Sequence, residues 1–184
     1  MSWHAVRHRY KSFWDEAYSL FRSVSVDLPT GTIDACEIGD RELAEADAWL
    51  NHPDRIAGWN WRAVLNQERK SHKRFEAAFW VDGVLCGLMV CRVSKRRINL
   101  SVRFIEGAPF QHPLRGQLLQ VAIIQAELFA SVIGATQVAI IKPLEGVAER
   151  YIALGYQMEY GDRSKVSKGL KPRFDQLIKH LKGF

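Results

Sequence analysis

Only a few residues are of a type and spacing that could carry chemistry, and most fall between positions 105 and 156. His112-Pro113-Leu114-Arg115-Gly116 closes a loop with two prolines and two glycines (Gly107 to Gly116) and runs straight into a long apolar segment. A glycine-containing loop that opens a helix aims backbone N–H groups and the positive end of the helix dipole at what lies before it, which suits a phosphate. Arg115 would add a charge-assisted contact to the same group. The plainer alternative is that Gly116 merely starts a buried helix and Arg115 is solvated. Glu106 stands at the end of a β-rich run just before the loop, and His112 brings an imidazole that titrates near working pH. Either could take a proton. Equally, Glu106 could be a surface loop residue, and His112 could only orient the turn before Pro113. Tyr151 offers a phenol, or simply a ring packed on the long helix. Cys86 and Cys91 alternate with apolar residues in a strand and read as core.

These residues need elements to hold them. Residues 10–24 place Phe13, Tyr18 (or Ala17), Leu20, Phe21 and Val24 at helical spacing. Thr32 to Ile38 reads as a weak strand. Asp40 then serves as N-cap for a helix through Leu50, and a second helix runs from about Ala57 to His72 with Trp59, Ala63, Val64 and Leu65 on its apolar side. Phe75–Val81 and Val84–Val93 are strands joined by Asp82-Gly83, a hairpin turn pair. Ile98–Ile105 is a third strand. Gln117–Val132 is apolar around most of its circumference, so it reads as a buried helix stopped by Gly134. A strand at Thr136–Ile141, a short helix at Glu145–Leu154 and a last strand at Tyr156–Tyr160 follow. Phe174, Leu177, Ile178 and Leu181 share one helical face near the end. The order predicts an α/β fold around a largely antiparallel sheet.

With 184 residues, 47% hydrophobic and 25% charged, the chain can bury a real core, which excludes wholesale disorder. No apolar window is long enough for a membrane helix, and no apolar run follows the basic N-terminus as in a signal peptide. Three cysteines (Cys36, Cys86, Cys91) suit reduced thiols rather than a disulfide frame or a metal site, so a cytoplasmic protein is expected. Charge is uneven. Residues 161–184 hold seven basic and two acidic side chains, nearly the whole +6 excess, and further basic clusters lie at Arg69–Arg74 and Lys95–Arg97. Residues 34–54 hold seven acids. Basic clusters can hold nucleic acid, or they are solvated faces.

From about Thr32 to Tyr160, roughly two-thirds of the chain, the element order and two motifs resemble the GCN5-related N-acetyltransferase (GNAT) family. His112-Pro113-Leu114-Arg115-Gly116 resembles its pyrophosphate loop, one residue shorter between the proline and arginine, and with Leu118 where the family has a small residue. Tyr151-Ile152-Ala153-Leu154-Gly155-Tyr156 resembles its tyrosine, Leu-Gly, aromatic pattern. The resemblance implies a GNAT-like domain over 31–160 with a mixed, mostly antiparallel sheet, an N-terminal helical extension (1–30) and a basic tail with a short helix (161–184). It implies acetyl-CoA or another acyl-CoA as donor, bound by Ile105, Arg115, Gly116, Gln117 and Leu118, with an amine as acceptor. Tyr151 would protonate the departing thiolate, since a phenol at about 10 and a thiol at about 8.5 are close enough in pKa for the transfer. Glu106 or His112 would be the base. Residues 40–72, acidic at first and then bearing Trp49, Trp59 and Trp61, would form the acceptor side; those tryptophans could equally be core or a dimer surface. Two other readings remain open: a GNAT-like protein that modifies or binds nucleic acid, and an interaction domain in which Leu118 and the short loop have closed the cofactor site. A homodimer is compatible with any of them.

Overall fold

The computed structural model describes residues 3–24, 32–94, 96, 99–143, 146–159 and 162–169. In chain order they form α1 (Trp3–Val24), β1 (Ile33–Cys36), α2 (Asp40–Asp47), α3 (Trp61–Glu68), β2 (Arg74–Val81), β3 (Val84–Val93), β4 (Asn99–Gly107), α4 (Leu118–Val132), β5 (Gln137–Ile141), α5 (Ala148–Ala153), β6 (Gln157–Glu159) and β7 (Asp162–Gly169). The strands make one sheet in the order β1-β2-β3-β4-β5-β7-β6. Every pairing is antiparallel except β4 with β5, the pair joined through α4. The fold is the mixed, mostly antiparallel α/β architecture that the element order predicts. The basic tail beyond residue 169, with its expected helix, lies outside the described residues, as do Lys95 and Arg97. Residues 162–169, which the sequence reading placed in that tail, carry the sheet one strand further.

Two cores sandwich the sheet. On one side Phe75, Ala77 and Phe79 of β2 meet α4, which is buried around most of its surface as its composition dictates. α1 lies on α4 and closes this core with Tyr10, Trp14, Ala17, Tyr18 and Phe21, a stripe at helical spacing that starts earlier than the expected Phe13. Its polar tips are tied to β2: Trp14 Nε1 donates to the Arg74 carbonyl at 2.9 Å and Tyr18 Oη to the Glu76 carbonyl at 2.5 Å. On the other side Ala78, Trp80, Leu88 and Val90 pack on α2, the turn after it and α3 through Leu43, Trp49, Trp61, Val64 and Leu65.

Local chemistry explains the boundaries. Asp82 and Gly83 both adopt positive φ (49° and 78°), the turn the Asp-Gly pair foretells. Gly39, not Asp40, caps α2: the Glu42 carboxylate accepts its N–H at 2.8 Å, and Asp40 becomes the first helical residue, where its charge suits the dipole. The second helix is shorter than expected. Asn60 caps α3 by accepting the Ala63 N–H at 3.1 Å, so Trp59 stands ahead of the helix rather than on its apolar side, and Ala63 is exposed.

Candidate active site

The parallel pair β4 and β5 stays in register only from Asn99–Gln137 to Val102–Ile140. Arg103 is then an extra residue in β4, because Val102 faces Cys91 of β3 while Phe104 faces the neighbouring Val90. A bulge bends a strand and turns the following side chains over. Before it Leu100 and Val102 enter the α4-side core; after it Ile105 does, and Phe104 turns to the α2–α3 side. β5 ends at Ile141, and Lys142 (φ 50°) and Pro143 lead the chain away. The two strands therefore part, and a cavity of about 380 Å³ opens between them. Phe104 and Ile105 form one wall, Ile140 and Ile141 the other; Leu119 of α4 and Tyr151 of α5 line it too. Trp59 reaches it from the α2–α3 connection, its ring edge-on to Phe104 at 5.4 Å, and the cations lining it are Arg103 and Lys142.

Tyr151 is held by a short helix with a tight stop. Its carbonyl accepts the N–H groups of Leu154 (3.0 Å) and Tyr156 (3.1 Å), a reversal that needs Gly155 at φ 88°. This turn is the physical content of the Leu-Gly-aromatic pattern: it returns the chain as β6 and sets Tyr156 edge-on to Tyr151 at 6.1 Å. Burial, and secondarily the nearby Cys91 thiol, push the Tyr151 phenol well above its ordinary pKa. The hydroxyl stays protonated and can donate a hydrogen bond, but it is a weaker acid than an ordinary phenol, so the close pKa match with a thiol expected from the sequence does not hold.

Of the residues singled out in the sequence, the cavity brings together Ile105, Tyr151 and Trp59; Glu106, His112, Arg115, Gly116, Gln117 and Leu118 do not line it. The loop before α4 is a coil of turns. Arg115 N–H donates to the His112 carbonyl, and the N–H groups of Gln117 and Leu118 both donate to the Leu114 carbonyl at 2.9 and 2.8 Å. Three of the N–H groups expected to face a phosphate are thus engaged, while the Arg115 side chain and Gly116 (φ 84°) are exposed. Leu118 points inward. Cβ atoms added at Gly87 and Gly107 would lie 2.5 and 2.9 Å from its Cδ atoms, so two glycines make room for the leucine and it does not crowd the loop. His112 is buried on the same side, near Gly107, and its Nδ1 has no hydrogen-bond partner. Desolvation, then Arg115, hold its pKa below the ordinary imidazole value.

Glu106 is neither exposed nor free. Arg55 donates from Nε to Oε1 (2.6 Å) and from Nη2 to Oε2 (3.0 Å), and Trp61 Nε1 donates to Oε2 at 2.6 Å. Sequence reasoning did not single out Arg55, Arg103 or Lys142. Arg55 gave no signal beyond being a lone base after an acidic stretch. Trp49 and Trp61 are core, Trp59 is cavity wall. Within the Arg69–Arg74 cluster, Arg69 and Arg74 grip the fully buried Glu76 at 2.8 Å each instead of lying open to a phosphate backbone. Among the described residues no helix is long and apolar enough to cross a membrane, and no group of three or more histidine, cysteine, aspartate or glutamate side chains could hold a metal.

No protein-family profile matches the chain, and no curated protein matches it in sequence. Solved structures match it in fold. It is similar to PaiA N-acetyltransferase from Thermoplasma acidophilum in complex with coenzyme A (TM-score 0.52, 12% identity, 75% of this chain and 99% of that one). It is similar to the spermidine/spermine N-acetyltransferase SpeG from Vibrio cholerae (0.59, 10%, 80% and 98%). The ribosomal-protein-S18-alanine N-acetyltransferase from Escherichia coli also matches (0.51, 13%, 74% and 91%). The chain has the fold of the GCN5-related N-acetyltransferases.

Proposed function

We propose that this protein, built on the GNAT fold, is an acyl-CoA-dependent N-acyltransferase, most simply an N-acetyltransferase, that transfers the acyl group to an amine by direct attack. The observation that carries the reading is the cavity between the parting strands β4 and β5 with a protonated, buried tyrosine in its wall. The neighbour of the same fold that holds coenzyme A supports the choice of donor.

In this reading the thioester lies in the cleft and its carbonyl oxygen accepts the Ile105 N–H, on the stretch of β4 past Val102 that is no longer laddered to β5. The amine nitrogen attacks the carbonyl carbon, the C–S bond breaks, and Tyr151 Oη–H passes its proton to the sulfur. The proton lost by the amine passes by way of water to His112, which does not line the cavity, has an unpartnered Nδ1, and whose burial lowers its affinity for a proton until the reaction supplies one. Holding both reactants in one cleft removes the need for a covalent enzyme intermediate. The exposed Arg115 beside Gly116 meets the phosphates of the donor.

Calorimetric titration with acetyl-CoA and with free CoA tests the donor. Micromolar binding that weakens about tenfold in Arg115→Ala, the loss of one charge-assisted contact, is the expected result. In an acceptor screen Tyr151→Phe lowers kcat about 10²-fold with the donor affinity unchanged. Absence of binding to either ligand removes the reading.

A further inference from the structure

A general base must offer an open lone pair to the incoming ammonium, and the carboxylate of Glu106, which does not line the cavity, already has three of its four acceptor sites filled. Both oxygens are taken by Arg55, and Oε2 also by the Trp61 indole, while the Arg55 and Glu106 side chains are each only 6% exposed. The Arg55 guanidinium reaches on: its Nη2 also donates to the Trp59 carbonyl at 2.5 Å.

We propose that Glu106 is a positioning residue which, through Arg55, clamps the connection between α2 and α3 to the end of β4 and so fixes Trp59 as a wall of the cavity. The grip falls at three points of one segment: Arg55 by its side chain, Trp59 by its carbonyl, Trp61 by its indole. Between the last two, Asn60 starts α3. Trp59 cannot hold itself. Its ring touches Phe104 edge-on, but it is half-buried and its Nε1 is enclosed without a hydrogen-bond partner. No helix or strand runs through residues 52–59, so the ion pair supplies a restraint there that neither helix nor strand does. What Trp59 contributes is an aromatic face on the cavity, and its setting determines how well an acceptor there is held.

The site's chemistry rests on the acyltransferase reading, but the clamp itself does not, and the experiment separates them. Hydrogen–deuterium exchange on the full chain without ligand, comparing wild type with Glu106→Gln and Arg55→Ala, is expected to speed exchange across residues 52–60 about tenfold or more in both variants while β3 and α4 stay protected. Arg55→Lys, which keeps the charge but loses the two-pronged contact, falls between them. With acetyl-CoA as donor and the amine that gives turnover in the screen, Glu106→Gln raises KM for the amine about tenfold, changes kcat by less than about threefold and leaves the acid limb of the pH profile in place. Unchanged exchange at 52–60 in both variants overturns the clamp whether or not any amine is acylated. So does a kcat loss of about 10²-fold in Glu106→Gln with the acid limb gone, the behaviour of a base.

Discussion

The two faces of the sheet bury their residues by different means. Against α1 and α4 the contacts are hydrocarbon: Phe75 and Phe129 stack with centroids 4.2 Å apart and planes 8° from parallel, and Phe21 meets Phe79 edge-on at 6.1 Å. One acid is buried there, Glu127, beside the Tyr156 hydroxyl. Against α2 and α3, four acids are buried: Glu42 accepts the Gly39 N–H, and the other three are met by arginine. Glu76 holds Arg69 and Arg74, Glu68 pairs with Arg92 (2.8 Å) and Arg103 (3.7 Å), and Glu106 holds Arg55. A hydrocarbon core tolerates shape changes and fixes little about direction. A buried charge needs one partner in one place, so the ionic face is the one that can fix a loop beside a cavity.

That contrast breaks most visibly at Glu76, the fully buried acid. Glu76→Ala is expected to cost about 3–5 kcal/mol in urea unfolding, because two arginines lose their counter-charge. Replacing Glu76, Arg69 and Arg74 together with leucine recovers most of it, since a well-packed apolar cluster replaces an ion cluster at little or no cost. A single-mutant loss below about 1 kcal/mol would place this face with ordinary solvated ion pairs and undo the comparison. On the opposite face Phe129→Ala is expected to cost a similar amount, about 3–5 kcal/mol, from lost transfer energy and the cavity left behind. The distinction is the rescue: no added partner substitution restores Phe129→Ala the way removal of the arginines restores Glu76→Ala.

A smaller effect sharpens the account of the apolar face. Gly87→Ala would set a Cβ 2.5 Å from a Leu118 methyl carbon and 2.9 Å from the Glu106 carbonyl oxygen. The expected destabilisation is about 1–3 kcal/mol. Leu118→Ala in the same chain should cost less than it does alone, because the methyl clash goes and only the carbonyl contact remains. Strict additivity would mean that Leu118 does not rest on Gly87.

The same contrast explains what the sequence discloses. The apolar face is legible because periodicity is its cause: the strand alternation at Phe75, Ala77 and Phe79, the nearly all-apolar α4 and the Asp82-Gly83 turn are written locally. The ionic face is not. Glu76 sits in a β-rich run between apolar residues, yet nothing local says that Arg69 and Arg74 will meet there. Glu106 and Arg55 lie 51 positions apart, and each alone reads as solvated charge. Leu118 misled for a related reason: its inward direction depends on two glycines in other strands. Tyr151 and Gly155 were readable because a helix stop is a local event, whereas the cavity they face depends on a bulge at Arg103 that only pairing with β3 reveals.

The smallest effect predicted is one of pH, and it belongs to the apolar face. His112 lies with Leu118 on that side, and burial with the nearby Arg115 keeps its pKa below the ordinary value. In the unfolded chain the imidazole takes up a proton at about pH 6.5. The folded chain does so only at lower pH, so between those two values the unfolded state binds more protons and gains stability relative to the native one. This contribution to folding is therefore complete above about pH 6.5 and is lost as pH falls through that value, until the folded-state imidazole also protonates. Urea midpoints measured across this range should fall more steeply for wild type than for His112→Asn, which has nothing to titrate. If the two slopes coincide, His112 is not held neutral by its surroundings. Its assignment as the proton acceptor in the proposed reaction then loses its electrostatic support, while the ionic face and its clamp on Trp59 stand unaffected.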